Sequence, residues 1–252
     1  TLAFNWRRDG NSDIYLLPFG QTEPVRLTSQ PGADEAPAWS PDGQELAFAS
    51  RRDGNWDVYV YNLPERALRR VTTQPGYDGH PSWSPDGQWL VYESYQEENL
   101  DVYIVRADAS EGPFRLTENA ALDFDPVWSP GGRHIAFVSW RSGNQDLFML
   151  SLNEVTDEAA VNLTQTPAGQ EDAPAFSPDG RFLAYHDAAG DFPLIYTMPL
   201  SPDYLPAGAA QLVGQRGEEP AWAPNGRSLI TVLRQDARAF LLGAALAGWG
   251  VA

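Results

Sequence analysis

The 252 residues carry 17 Lys and Arg against 34 Asp and Glu, a net charge of −17 that speaks against nucleic acid or an anionic membrane surface as partner. Cysteine is absent, so disulfides, thiol catalysis and Cys-ligated zinc fall away. Hydrophobic residues make up 42%, enough for a buried core, while 22 Gly and 21 Pro leave little room for long helices.

The chain opens in an apolar run, Leu2-Ala-Phe4. A polar turn follows (Arg8-Asp-Gly-Asn11), then a second run (Asp13-Ile-Tyr-Leu16) and a third ending Val25-Arg-Leu-Thr28. From there one pattern repeats. Its anchor is Trp39-Ser-Pro-Asp-Gly43, which returns as Trp83-Ser-Pro-Asp-Gly87, Trp128-Ser-Pro-Gly-Gly132, Phe176-Ser-Pro-Asp-Gly180 and Trp222-Ala-Pro-Asn-Gly226, at intervals of 44, 45, 48 and 46 residues. A proline stands two residues before each anchor: Pro37, Pro81, Pro126, Pro174 and Pro220. Each anchor is followed by an apolar run such as Leu46-Ala-Phe-Ala49, and in the first three repeats by an Asp-led run such as Asp57-Val-Tyr-Val60 and an ending such as Arg70-Val-Thr72. Short β-branched and aromatic runs separated by Pro-Asp-Gly and Asp-Gly-Asn turns predict four strands per repeat, A to D, with strand A ending at the anchor. Four-stranded units at this period are propeller blades, and the anchor aromatic is expected to plug the space between neighbours.

The fold class predicted is all-β: a six-bladed β-propeller of four-stranded antiparallel blades, or alternatively five blades plus leftover strands. We expect residues 1–252 to form one propeller domain that belongs to a longer chain. Ala245–Ala252 is the candidate closing strand. The 14 residues from Ala239 to Ala252 carry no charge and are too few to span a bilayer, which takes ~20.

The repeat resembles the TolB-like propeller family, whose hallmark is an acid followed by Pro and Trp-Ser-Pro-Asp-Gly, then an Arg-Asp-Gly turn and an Arg-x-Leu-Thr ending. The resemblance runs from Leu2 to about Val232. It implies a mostly six-bladed propeller, a periplasmic or extracellular setting and a role in protein binding, as TolB serves the Tol–Pal envelope system. It also implies rivals: sensor or gating modules of larger proteins, and metal-assisted polyuronide lyases or glycan hydrolases. This sequence departs from the pattern at Gly131 and Asn225, which replace the turn Asp; at Glu97-Glu-Asn99, which replaces Arg-Asp-Gly; and at Phe192-Pro-Leu-Ile195, with Pro in a predicted strand.

The stretch before each strand A is acidic: Asp34 and Glu35; Asp78; Asp123 and Asp125; Glu171 and Asp172; Glu218 and Glu219. These acids are expected to gather at a channel mouth. Two carboxylates ~8 Å apart repel by about 0.5 kcal/mol in bulk water and about 2 kcal/mol at an effective dielectric of ~20. Such a cluster would recruit a basic peptide or calcium, with Asp34, Asp78, Asp123 and Glu171 as the metal set. The partner or ligand face is predicted to comprise Glu35, Asp125, Asp172, Glu218, Glu219, His80, Trp56, Trp140, Arg52 and Arg141. The competing expectation is that Asp34, Asp78 and Asp123 pair with loop arginines. Asp13, Asp57, Asp101 and Asp146, which open the C strands, are expected to make hydrogen bonds within their sheets. No nucleophile elbow, His-Glu-x-x-His or phosphate loop occurs, so no catalytic residue is assigned. The function expected is non-catalytic binding of a protein or peptide, with no nucleic acid and no direct membrane contact. If the chain is an enzyme instead, His80 with its acidic neighbours would be the site.

Overall fold

A computed structural model describes residues 1–153, 156–235 and 238–245. Among these residues twenty-two strands form six antiparallel sheets. The first contains β1 (Leu2–Arg8), β2 (Asn11–Leu17) and β3 (Val25–Arg26). The second contains β4 (Asp34–Trp39), β5 (Glu45–Ser50), β6 (Asp57–Asn62) and β7 (Ala67–Arg70). The third contains β8 (Asp78–Trp83), β9 (Trp89–Gln96), β10 (Asn99–Arg106) and β11 (Phe114–Arg115). β12 (Asp123–Trp128), β13 (His134–Ser139), β14 (Asp146–Ser151) and β15 (Val161–Asn162) follow, then β16 (Glu171–Phe176), β17 (Phe182–Asp187), β18 (Leu194–Pro199) and β19 (Gln211–Arg216). The last sheet contains β20 (Glu218–Trp222), β21 (Ser228–Gln235) and β22 (Arg238–Ala245). The chain divides into two compact units, Thr1–Pro126 and Val127–Ala252.

Six four-stranded blades are therefore not found. Four sheets have four strands, and the first and last have three among the described residues. The alternative of five blades plus leftover strands fits these sheets. The candidate closing strand lies, apart from Ala245 at the end of β22, outside the described residues.

Two devices recur. The Ser-Pro-Asp-Gly turn is knitted by its own side chains. Ser40 Oγ donates to Asp42 Oδ1 at 2.6 Å, and the Gln44 and Glu45 amides donate to Asp42 and Ser40 at 3.0 and 2.9 Å. Gly43 supplies the left-handed residue (φ 68°) that closes the turn. The second device clamps strand C to strand D. Asp13, Asp57 and Asp101 are fully buried, and each accepts from an arginine of the next strand: Arg26 at 2.6 Å, Arg70 at 2.7 Å and Arg115 at 2.7 Å. Those arginines also donate Nε to the carbonyls of Thr28, Thr72 and Thr117. The threonine hydroxyls in turn accept from the amides of Ile14, Val58 and Val102 at 2.9 to 3.0 Å. The D strands are consequently shorter than expected: the Arg-x-Thr ending lies partly beyond the strand, because a threonine hydroxyl replaces a backbone acceptor.

Anchor tryptophans occupy the spaces between successive sheets within each unit. Trp83 packs with Ala47, Val58 and Val60 of the sheet before it, and its Nε1 donates to the Ala38 carbonyl at 3.0 Å. Trp222 packs with Ala184 and Ile195 and donates to the Ala175 carbonyl at 3.0 Å.

The departures from the repeat have local causes. Glu97 and Glu98 (φ 53° and 67°) form a two-residue hairpin between β9 and β10, and Glu97 reaches Arg115 at 3.5 Å. Pro193 lies outside β18, so the expected proline inside a strand is corrected to one just before it; its carbonyl accepts from the Gly217 amide at 3.2 Å. Gly131 makes room for Tyr204, whose hydroxyl accepts from the Gly131 amide at 2.8 Å. A Cβ at Gly131 would lie 2.7 Å from that hydroxyl. Tyr204 also packs at a tilt against the His134 ring and meets Phe176 edge-on. Gly131→Asp, which restores the turn pattern, is thus expected to destabilise by about 1–3 kcal/mol. In the Tyr204→Ala background the same change is expected to cost markedly less. Chemical denaturation of the double-mutant cycle measures this, and additive costs would contradict the clash.

Candidate functional site

Strand A carries the acids, and the structure corrects their position. Asp34, Asp78, Asp123 and Glu171 do not precede strand A in a loop; each is its first residue and is at most 1% exposed. The physical reason is that each acid is held by a hydrogen-bonding partner beside its strand. Asp34 holds Arg52 through both oxygens at 3.1 and 3.2 Å, and Arg52 is steadied by Ser50 Oγ at 2.7 Å and by the rings of Phe48 and Tyr59. Asp78 accepts from Ser94 Oγ at 2.6 Å, and Glu171 from Thr166 Oγ1 at 2.6 Å. Burial pushes the Asp78 carboxyl up to about 6 and the Glu171 carboxyl up to about 7. Among the described residues, no group of three or more His, Cys, Asp or Glu side chains could hold a metal ion.

Two residues further along, strand A breaks its register. Ala36, His80, Asp125, Ala173 and Glu219 occupy one repeat position, directly before the proline, and all adopt left-handed backbone (φ 47° to 52°). β4, β8, β16 and β20 each slip register across this point. A non-glycine residue here costs of order 1 kcal/mol, and the bulge re-aims its side chain out of the sheet. Composition and spacing give no hint of this, because alanine, histidine, aspartate and glutamate share no turn signature.

Within Thr1–Pro126 the bulges build a cluster. His80 Nδ1 lies 2.8 Å from Asp125 Oδ1, with His80 exposed and Asp125 18% exposed. Behind them the buried Glu93 accepts from Tyr77 Oη at 2.7 Å and from the Asp125 amide at 2.6 Å. Burial, then the Glu93 carboxylate, then Asp125 and the exposed Glu35, push the Tyr77 phenol far above its usual range. Trp56 meets the Tyr77 ring edge-on at 6.3 Å. Gly79 is needed beneath, since a Cβ there would strike the Tyr77 hydroxyl. Thus Glu35, His80, Asp125 and Trp56 come together, joined by Tyr77 and Glu93. The readable signal for Glu93 was a lone charge inside an apolar B strand, Leu90-Val-Tyr-Glu93.

The other predicted residues sit apart from this cluster's chemistry. Arg52 is committed to Asp34. Arg141 donates to Ser139 at 2.8 Å and bridges Asp157 at 2.9 Å. Trp140 is 43% exposed. Within Val127–Ala252, Asp172 and Glu218 are half-buried and Glu219 is exposed, at the bulges of β16 and β20. His134 is lowered by burial and packed on Tyr204.

The profile of the TolB beta propeller domain matches residues 1–78, 31–111 and 57–248. The chain belongs to the TolB β-propeller family. Its four-stranded antiparallel sheets are propeller blades. TolB from Acinetobacter baumannii superposes with a TM-score of 0.84 at 19% identity over 96% of this chain, which spans 60% of that protein's length. A TolB candidate from Agrobacterium tumefaciens superposes at 0.72 with 22% identity, covering 98% and 90% of the two chains. Oligogalacturonate lyase from Vibrio parahaemolyticus shares the fold at 0.56 with 14% identity, covering 92% and 81%. No curated protein sequence matches. Among the described residues no helix is long and apolar enough to cross a membrane.

The raised carboxyls set a pH dependence. In the window from about 4 to about 7 the folded chain keeps protons on Asp78 and Glu171 that the unfolded chain has released, so their contribution to stability is full at low pH and is lost as pH rises. Asp78→Asn with Glu171→Gln is expected to gain stability over the parent progressively between about pH 4 and 7, by thermal denaturation at each pH. A constant difference across that window would contradict the assignment.

Proposed function

We propose that this TolB-family propeller is a non-catalytic binding module that takes a basic protein or peptide segment at the cluster of Glu35, His80 and Asp125. The observation that carries the reading is the convergence of Glu35, Glu93 and Asp125 from three successive sheets around Tyr77. Buried Glu93 fixes the Asp125 backbone and Asp125 fixes His80, so the exposed groups are held in place before a partner arrives. Glu35 and Asp125 offer negative charge, the His80 imidazole adds a donor, and Trp56 with Tyr77 gives the cluster an aromatic floor. A cationic side chain docked there would gain charge-assisted hydrogen bonds without ordering the site. The family and its TolB relatives support protein binding in general and a periplasmic setting in particular.

Calcium lies outside this reading. Asp34 is occupied by Arg52, and Asp78 and Glu171 accept from Ser94 and Thr166.

A calorimetric titration with an Arg- and Lys-rich peptide tests the proposal. Glu35→Gln with Asp125→Asn is expected to weaken binding at least tenfold, and affinity is expected to fall as salt rises. Equal affinity of variant and parent would overturn it.

A further inference from the structure

Asn225 departs from the repeat without changing its backbone. Ala223-Pro-Asn-Gly226 stands where three turns have Ser-Pro-Asp-Gly, and it holds the only Asn-Gly pair in the chain. The Gly226 amide donates to the Ala223 carbonyl at 2.9 Å, as the Gly43 and Gly87 amides donate to the Ser40 and Ser84 carbonyls. Gly226 is left-handed (φ 64°), like Gly43. The Arg227 amide donates to Asn225 Oδ1 at 2.8 Å, as the Gln44 amide donates to Asp42 Oδ1. The turn that joins β20 to β21 is therefore built for an aspartate and carries its amide.

The side-chain chemistry differs. In the other turns Ser40, Ser84 and Ser177 donate Oγ to Asp42, Asp86 and Asp179 at 2.6 to 2.7 Å. Ala223 has no hydroxyl to give. Asn225 is exposed, and among the described residues its Nδ2 makes no hydrogen bond, so the carboxamide is held by its oxygen alone. Donation to Oδ1 draws electron density from Cγ and stabilises negative charge on that oxygen during an addition at Cγ. The next backbone nitrogen belongs to glycine, with no Cβ to shield it or restrict its approach. Other asparagines are better tied down. Asn55, Asn99 and Asn144 each donate Nδ2 to a loop carbonyl at 2.8 to 3.0 Å, and Asn162 donates to Asp146 at 2.9 Å.

We propose that Asn225 is a site of spontaneous deamidation that converts this Asn-Gly turn into the Asp-Gly of its sister repeats. When the Gly226–Ala223 hydrogen bond opens, solvent base takes the Gly226 amide proton and the nitrogen bonds to Asn225 Cγ. The Cγ–Nδ2 bond breaks, a proton returns to Nδ2, and ammonia leaves a succinimide. Water then opens the ring. Breaking the new Cγ–N bond gives aspartate at 225. Breaking the original bond between the Asn225 carbonyl carbon and the Gly226 nitrogen gives isoaspartate, with the main chain running through the former side chain. No electrons are exchanged with another reactant, and either product adds one negative charge. Aspartate keeps the Arg227 amide as its donor and leaves the turn intact. Isoaspartate lengthens the main chain by a methylene within the turn and disrupts it.

The test incubates the full chain for weeks at body temperature and mildly alkaline pH, then follows it by intact mass and peptide mapping. Asn225 is expected to convert at least tenfold faster than any other asparagine, with ammonia released in equal amount and a rate that rises with hydroxide concentration. Mapping separates the two products, with the Asn225→Asp chain as the standard for aspartate. Asn225→Gln, whose side chain places the carboxamide one bond further from the Gly226 nitrogen, is expected to lose the early product. An Asn225 still intact at the end of the incubation, or an Asn225→Gln chain that gains the same early product at the parent's rate, would overturn the proposal. So would another asparagine that converts before Asn225.

Discussion

A buried carboxylate at the head of strand C, clamped by the arginine and threonine of strand D, is the interaction on which each early sheet depends. Asp13, Asp57 and Asp101 are withdrawn fully from water, and the guanidinium at 2.6 to 2.7 Å counters part of the desolvation cost. One arginine binds the carboxylate and the threonine carbonyl together, and the threonine hydroxyl holds the strand C backbone. A strand of two residues is thereby enough to finish a sheet. The fourth sheet reaches the same end without arginine. There burial alone would raise the Asp146 carboxyl, but hydrogen bonds from Ser142, Asn162, the Thr166 amide and Thr164 outweigh it and hold it low.

With the sheets closed in this way, the opposite edge is free to carry function. Strand A opens on an acid spent inside the sheet and then bulges, with a left-handed residue before its proline. Repetition fixes the backbone of that bulge and leaves its side chain open to variation: alanine in two repeats, histidine, aspartate and glutamate in the others. His80 and Asp125 meet because the same geometry recurs 45 residues apart. Structural acids and exposed acids are thus separated by one or two positions in sequence, with quite different physical environments.

That closeness explains what the sequence could and could not tell. The repeat, the order of strands, the role of the anchor tryptophans and the in-sheet bonding of Asp13, Asp57, Asp101 and Asp146 were legible, because each rests on a residue type recurring at fixed spacing. The pairing of Asp34 with Arg52 was legible as one of two alternatives. The left-handed bulge was not, since it arises from strand pairing and no glycine marks it. Nor was Tyr77, which reaches Glu93 only once Gly79 clears its path, or Tyr204, which fills the space that Gly131 leaves. These contacts belong to single repeats, so periodicity cannot reveal them. The blade count also depended on where strands begin and end, which residue patterns fix poorly.

The separation of regular, structural acids from irregular, exposed ones is the central claim, and equilibrium denaturation of two single variants tests it most directly. Asp57→Ala, which strands Arg70 and opens a polar cavity, is expected to cost about 2 kcal/mol or more. Glu35→Ala is expected to stay within about 0.5 kcal/mol of the parent. Similar costs for the two, or a larger cost at Glu35, would contradict the account.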